Sequence, residues 1–354
     1  MEAHSMDFLK RLMGTISPSG YEQEGAHVWR EEASTFADKV WGDSHGNSFA
    51  MLNEGGRPRV MFAGHIDEIG LMITHIDENG FLYVQSIGGW DPQILPGQRV
   101  HVRTKDGDIT GVLGKKPIHL IESEERNKAV KIEDVWIDIG AKDKDEAESL
   151  VRIGDPAVIQ YGFEELRNGL LVSRGFDDRV GAFVVLEAAR LLAEMNPSAE
   201  VVAVGTVQEE IGLRGAQTSA YGLDPEVGIA VDVGFASDFP TMEEMKKKVG
   251  EVAMGKGPMI ARGPNINPVV YDAFVHTAES NDIPWQPNGE PRGTGTDANA
   301  IQLARAGVAT QLIGIPNRYM HTPGEFVHAD DLTHSARLIA HTVAGFDAET
   351  DFTA

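Results

Sequence analysis

The chain has 354 residues, 31 Lys and Arg against 54 Asp and Glu, a formal net charge of −23 and no cysteine. The acidic balance argues against a general nucleic-acid binder, which needs a basic face, and the missing cysteine excludes a disulfide scaffold, a zinc-thiolate finger and a cysteine nucleophile. No apolar run approaches the roughly 18–20 residues of a membrane span, and the length suits two domains, or one large domain carrying an insertion.

Residues 6–14 and 21–36 have helical spacing, with Leu9, Leu12 and Met13 on one side of the first segment. The N-terminus lacks the basic-then-apolar order of a secretion signal, and the absence of cysteine fits a reducing cytoplasm. Arg59 to His65 (RVMFAGH) is a short apolar run suited to a buried strand, and Ile69 to Ile73 is another. From about Gly70 to Gly162 short β-rich pieces (GFLYVQSIGG, QRVHVRT, DITGVLG, DVWIDIG, PAVIQYG) alternate with turn residues. That punctuation predicts an inserted small β-barrel or sandwich.

From Leu170 onward strands and helices alternate. Arg179–Met195 reads as an amphipathic helix, Glu200–Val207 as a strand, Arg214–Tyr221 as a short helix and Val227–Val233 as a strand. Asn299–Ala306 reads as a helix, Val308–Ile315 as a strand and Asp330–Phe346 as a closing helix. The rhythm predicts an α/β fold with a mostly parallel sheet covered by helices, in which ligands sit beyond the carboxyl ends of the strands.

Several acids and histidines fall at those strand ends. His65 and Asp67 lie two apart on an extended segment, so their side chains share a face. A metal ligand with an orienting partner fits that spacing, and so does an ordinary satisfied strand terminus. Asp177 and Asp178 precede the helix at Arg179. One of them suits a helix cap, and a carboxylate there could also bridge two cations. Glu209 and Glu210 end the strand VAVGTVQ, where neighbouring side chains point different ways, so one can bind metal and the other stay free as a base. Asp232 sits in the apolar AVDVG, a costly place for an acid without a partner or cation. His321 follows the last strand. Nitrogen and oxygen ligands without sulfur suit zinc, cobalt or manganese, and the acidic field of the chain concentrates cations.

As an ordered set, GHIDEIG, FDDRVGA, VQEEIGLRGA, VDVG and RYMHTP resemble the tetrahedral, or TET-type, dinuclear metallo-aminopeptidases. That family includes glutamyl and deblocking aminopeptidases and proteins labelled endoglucanase or "cellulase M". The resemblance runs from about Met6 to Phe346. It implies that His65, Asp177 and Asp232 hold one divalent ion and that Asp177, Glu210 and His321 hold a second, with Asp177 bridging. It implies Glu209 as general base, Asp67 as the partner that orients His65, and a cis Asp177–Asp178 peptide. Gly293 to Ala298 resembles a substrate-pocket loop carrying Thr296 and Asp297, although Thr296 or Asp297 could simply cap the helix that runs to Ala306.

The resemblance further implies a catalytic α/β domain of residues 1–69 and 163–354, with 70–162 as an inserted dimerisation domain. It implies dimers assembling into a hollow dodecamer and short peptides as substrates cleaved at their first bond, while the acidic charge and the lack of a long apolar run predict no nucleic-acid or membrane partner. Three rivals stand beside this reading. A glycosidase needs two carboxyl groups flanking a sugar cleft rather than histidine ligands. A metal-dependent carboxypeptidase or deacylase places its insert later in the chain. A non-enzymatic assembly protein would have no use for an intact ligand set.

Overall fold

The computed structural model describes residues 1–124 and 126–354. The chain opens with helices α1 (Ala3–Met13) and α2 (Gln23–Ala33) and strands β1 (Lys39–Gly42), β2 (Ser48–Leu52) and β3 (Arg59–His65). Next come β4 (Gly70–Ile76), β5 (Leu82–Ile87), β6 (Arg99–Thr104), β7 (Gly107–Gly114), β8 (Trp136–Asp138), α3 (Lys144–Leu150) and β9 (Pro156–Ile159). The chain continues through β10 (Glu164–Glu165), β11 (Leu170–Ser173), α4 (Phe176–Ala193), β12 (Glu200–Thr206), α5 (Arg214–Leu223), β13 (Val227–Phe235) and α6 (Lys246–Val249). It closes with β14 (Met259–Arg262), α7 (Pro268–Ser280), β15 (Gln286–Gly289), α8 (Asp297–Gln302), β16 (Ala309–Asn317), β17 (Glu325–His328) and α9 (Ala329–Ala344).

An eight-stranded sheet runs in the order β1-β2-β12-β3-β13-β16-β14-β15. Its centre, β12-β3-β13-β16, is parallel. The flanks are less uniform than a mostly parallel sheet: β1, β2 and β12 pair antiparallel, and β14 runs antiparallel to β16. Alternation along β3 feeds two cores. Val60 and Phe62 join a cluster with α1, α4 and α9, whereas Met61 and Ala63 join a second with α5 and α8. A fully buried side chain of the Phe62 class contributes about 1.5–3 kcal/mol.

Helix α4 departs from the amphipathic reading. Every residue from Phe176 to Ala189 is buried, because the helix lies between the sheet on one side and α1 and α9 on the other. Its polar exceptions are paired: Glu187 accepts from Ser5 Oγ at 2.8 Å, and Arg179 reaches Glu68 Oε2 at 3.0 Å.

The predicted β-rich segment forms a closed antiparallel barrel, β4-β5-β8-β7-β6-β9, with its own apolar core built around Ile73, Val84, Val100, Leu113 and Ile137. The barrel therefore begins five residues after His65. A third, small sheet, β10-β11-β17, is antiparallel, with Ser173 opposite Glu325. Among the described residues no helix is long and apolar enough to cross a membrane.

Candidate active site

The carboxyl ends of the parallel strands gather the predicted residues. His65 is the last residue of β3 and pairs with Thr206 at the end of β12. Glu209 and Glu210 follow β12, Asp232 lies in β13, and His321 follows β16. Asp177 and Asp178 open α4, joined by a cis peptide bond as the resemblance implies.

Asp177 stands between the two imidazoles. Its Oδ1 is 3.3 Å from His65 Nε2, and its Oδ2 is 3.1 Å from His321 Nε2. Glu210 Oε1 lies 3.3 Å from His321 Nε2, and Glu209 Oε2 lies 3.7 Å from His65 Nε2. Two sets of side chains are close enough to share a cation: His65, Asp177 and Glu210, and His65, Asp178 and Asp232. Asp178 is thus a neighbour of the cluster. Its oxygens, however, already accept backbone N–H groups, Oδ2 from His65 and Oδ1 from Gly181, each at 3.2 Å.

Both imidazoles are oriented through Nδ1. His65 Nδ1 lies 3.0 Å from the backbone carbonyl of Asp67, and His321 Nδ1 lies 2.8 Å from the carbonyl of Gly89. A carbonyl can only accept, so both rings carry their proton on Nδ1 and turn Nε2 toward Asp177. The Asp67 carboxylate has a second occupation beside the predicted one. It lies 3.4 Å from His65 Nδ1, and it accepts the amides of Glu209 at 3.1 Å and Glu210 at 3.2 Å. Ser19 Oγ completes its shell at 2.6 Å. Asp67 therefore fixes the turn that presents the two glutamates.

The barrel reaches into this site at Gly88 and Gly89. A Cβ on Gly88 would meet Glu210 Oε2 at 3.2 Å, and one on Gly89 would meet His321 Nδ1 at 3.2 Å. Glycine is required at Gly88 by a φ of +74° and by Ile69 Cγ2, which a Cβ would meet at 2.6 Å, and at Gly89 the approach is tight.

The electrostatics are those of carboxylates in excess. Burial pushes Glu209 upward, His65 opposes it, and Asp232, Asp297 and Glu210 add to the push. Burial and the neighbouring Asp177 likewise raise Asp232. For His321 burial disfavours the charge, but the adjacent Asp177 and Glu210 carboxylates overcome it and raise the ring to about 11. Five buried or nearly buried carboxylates, Asp177, Asp178, Glu209, Glu210 and Asp232, thus face two imidazoles. Glu210 Oε1 is buried with no hydrogen-bond partner. Carboxylate and imidazole donors with an orphaned oxygen and an unmet need for positive charge suit divalent cations.

The predicted pocket residues behave differently. Helix α8 stops at Gln302, short of Ala306, and Thr296 at its N-cap makes no side-chain cap bond. Thr296 Oγ1 instead meets Thr294 Oγ1 at 2.8 Å. Asp297 is buried, accepts from Thr206 Oγ1 at 2.5 Å and leaves Oδ1 unpartnered. Burial raises it to about 6 against the pull of His65.

Residues that sequence reasoning missed support the site from behind. Glu325 accepts the amides of Asp177 and His321. Glu68 binds Arg174 and Arg179. The only sequence signal for Glu68 was its place beside Asp67, and Glu325 gave none beyond following His321 by four residues.

A family model described as M42 glutamyl aminopeptidase matches residues 46–338. The chain belongs to the M42 family. It is 38% identical over 335 residues to a lysyl aminopeptidase of Pyrococcus furiosus, covering 94% of each chain. The structure of a TET aminopeptidase from a marine sediment archaeon, Thaumarchaeota archaeon SCGC AB-539-E09, superposes with a TM-score of 0.92 at 36% identity, covering 98% of this chain and 97% of that one. A TET1 peptidase of Pyrococcus horikoshii, described as assembling into a tetrahedron or a large octahedral shell, matches with a TM-score of 0.86 at 32% identity, over 97% of this chain and all of that one. This M42 protein is therefore an aminopeptidase, a peptide hydrolase with candidate metal-binding groups at its strand ends.

Proposed function

We propose that this M42 aminopeptidase removes the N-terminal residue of short peptides with two divalent ions per subunit, zinc foremost, with cobalt and manganese as the other candidates. His65, Asp177 and Asp232 would hold one ion, and Asp177, Glu210 and His321 the other. The observation that carries this reading is the Asp177 carboxylate, which offers one oxygen toward His65 and the other toward His321. When bound, such a pair of ions lowers the pKa of a water and polarises a carbonyl, and it offers an anchor to a free α-amino group.

The protein's own groups do the rest. Glu209 is the general base: it takes a proton from the attacking water and delivers it to the leaving amine. Its backbone is held by Asp67, and burial raises its proton affinity. His65 and His321 turn Nε2 toward the Asp177 carboxylate because the carbonyls of Asp67 and Gly89 occupy Nδ1. Asp297 and Thr296 belong to the substrate side of the cleft in this reading.

The catalytic unit is residues 1–69 and 163–354, and the barrel segment 70–162 is the dimerisation unit. The TET relatives support a homo-oligomer; in this reading it is built from such dimers and closes as a tetrahedral dodecamer. Glu209→Gln is the test. The variant should bind metal as the parent does and lose about 10²–10⁴-fold in kcat on aminoacyl substrates, and unchanged turnover would refute the base assignment.

A further inference from the structure

Two of the proposed ligands, Asp177 and His321, come from distant parts of the chain, yet their backbones share one acceptor. The Glu325 carboxylate is buried, 2% exposed. Its Oε2 accepts the amide of Asp177 at 3.0 Å, and its Oε1 accepts the amide of His321 at 2.8 Å. The topology explains the coincidence. Glu325 opens β17 directly opposite Ser173 at the end of β11. His321 lies four residues before Glu325, and Asp177 lies four residues after Ser173. The small antiparallel sheet thus brings both ligand segments to one register position, where a single two-oxygen side chain spans them. The His321 backbone has a φ of +58°, which L side chains rarely adopt, so its N–H direction is set by such external contacts.

We propose that Glu325 is a positioning residue: it fixes the separation of Asp177 and His321 and so sets the affinity of the cation site made by Asp177, Glu210 and His321. The inference rests on the ligand assignment above. A carboxylate is required because it presents two acceptors. A glutamine keeps the shape, but its NH₂ faces one of the two N–H donors, so one of the two bonds is lost.

The test is Co²⁺ titration of the full-length chelated protein, followed by visible absorption and calorimetry, with Glu325→Gln placed in two backgrounds. Asp232→Asn isolates the set Asp177, Glu210 and His321, and there Glu325→Gln should weaken Co²⁺ about 10–100-fold. Glu210→Gln isolates the set His65, Asp177 and Asp232, which has only Asp177 in contact with Glu325, and there Glu325→Gln should weaken Co²⁺ by a clearly smaller factor. Thermal unfolding of the chelated variants shows whether the fold is kept. Should Glu325→Gln fail to fold, Glu325→Asp, which keeps the charge and shortens the reach, should give the same asymmetry. Equal losses in both backgrounds, or no loss in either, overturn the positioning role. If the parent binds fewer than two Co²⁺, or Asp232→Asn and Glu210→Gln do not each remove one, the ligand assignment falls and this inference with it.

Discussion

The ion cluster behind the site makes a quantitative prediction. Glu68 is 2% exposed and accepts from Arg174 Nη1 at 2.9 and 2.7 Å, from Arg179 Nη2 at 3.0 Å and from the amide of Ser17 at 3.2 Å. Arg174 and Arg179 are buried with it. Burial already pulls the Arg179 guanidinium down to about 10, with Glu68 opposing that fall. Glu68→Ala strands two guanidinium groups at once. Removing one partner of a buried pair costs about 3–5 kcal/mol, and serving two cations places this case near the upper end. At about 2.1 cal/mol/K per residue, unfolding of a chain this size carries roughly 0.7 kcal/mol/K, so about 5 kcal/mol lowers Tm by about 7 °C. The control is Lys10→Ala, which breaks an exposed 2.6 Å bridge to Glu165. Exposed pairs contribute about 0–1 kcal/mol, and the expected shift is about 1 °C. Scanning calorimetry with excess chelator keeps metal release out of the comparison. If Glu68→Ala melts no lower than Lys10→Ala, the buried cluster does not stabilise the fold as argued.

Three further outcomes are expected. Chelation should abolish peptidase activity and added Zn²⁺, Co²⁺ or Mn²⁺ should restore it, whereas activity that survives dialysis against chelator would point to two-carboxylate chemistry. Gly88→Ala places a Cβ 2.6 Å from Ile69 Cγ2 and 3.2 Å from Glu210 Oε2 at positive φ; it should cost about 1–3 kcal/mol in a denaturant titration and weaken Co²⁺ binding, and an unaltered Co²⁺ titration would contradict the close approach. Burial and Asp67 raise Glu22 from 4.5 to about 7, so the folded state holds its proton more tightly than the unfolded chain. The stability this gives is complete below pH 4.5 and is lost as pH rises through about 7, a fall of about 3 kcal/mol at most; Glu22→Gln should flatten that slope in the chelated protein, and a slope like the parent's would assign it to other groups.

The legible part of this molecule was the part written in local pattern. The apolar run RVMFAGH became β3 residue for residue, and the strand ends that follow from it carried His65, Glu209, Glu210 and Asp232 to one edge. The alternation of short strands with turns from Gly70 onward gave the barrel. The illegible part was written in tertiary contact. Helix α4 looked one-sided because its polar residues, Arg179 and Glu187, are buried with the help of partners far along the chain, Glu68 and Ser5. Strands β14 and β15 carry no period, since Gln286-Pro287-Asn288-Gly289 is an edge strand rather than an apolar core run. Asp67 looked like a partner for His65, and both its carbonyl and its carboxylate face the imidazole, but that the carboxylate also holds the glutamate turn was not legible. Glu325 and Glu68 gave no signal because a buried acid is recognisable only once its donors are in place.

The hydrogen bond that His321 Nδ1 donates to the Gly89 carbonyl joins the strand-end cluster to the barrel segment. An excised α/β core would therefore lack an anchor for one imidazole even if every ligand side chain remained. A load on the barrel reaches the His321 imidazole through the short segment after β5, so if the proposed dimers pair through the barrel, subunit contacts and the candidate site share a mechanical link.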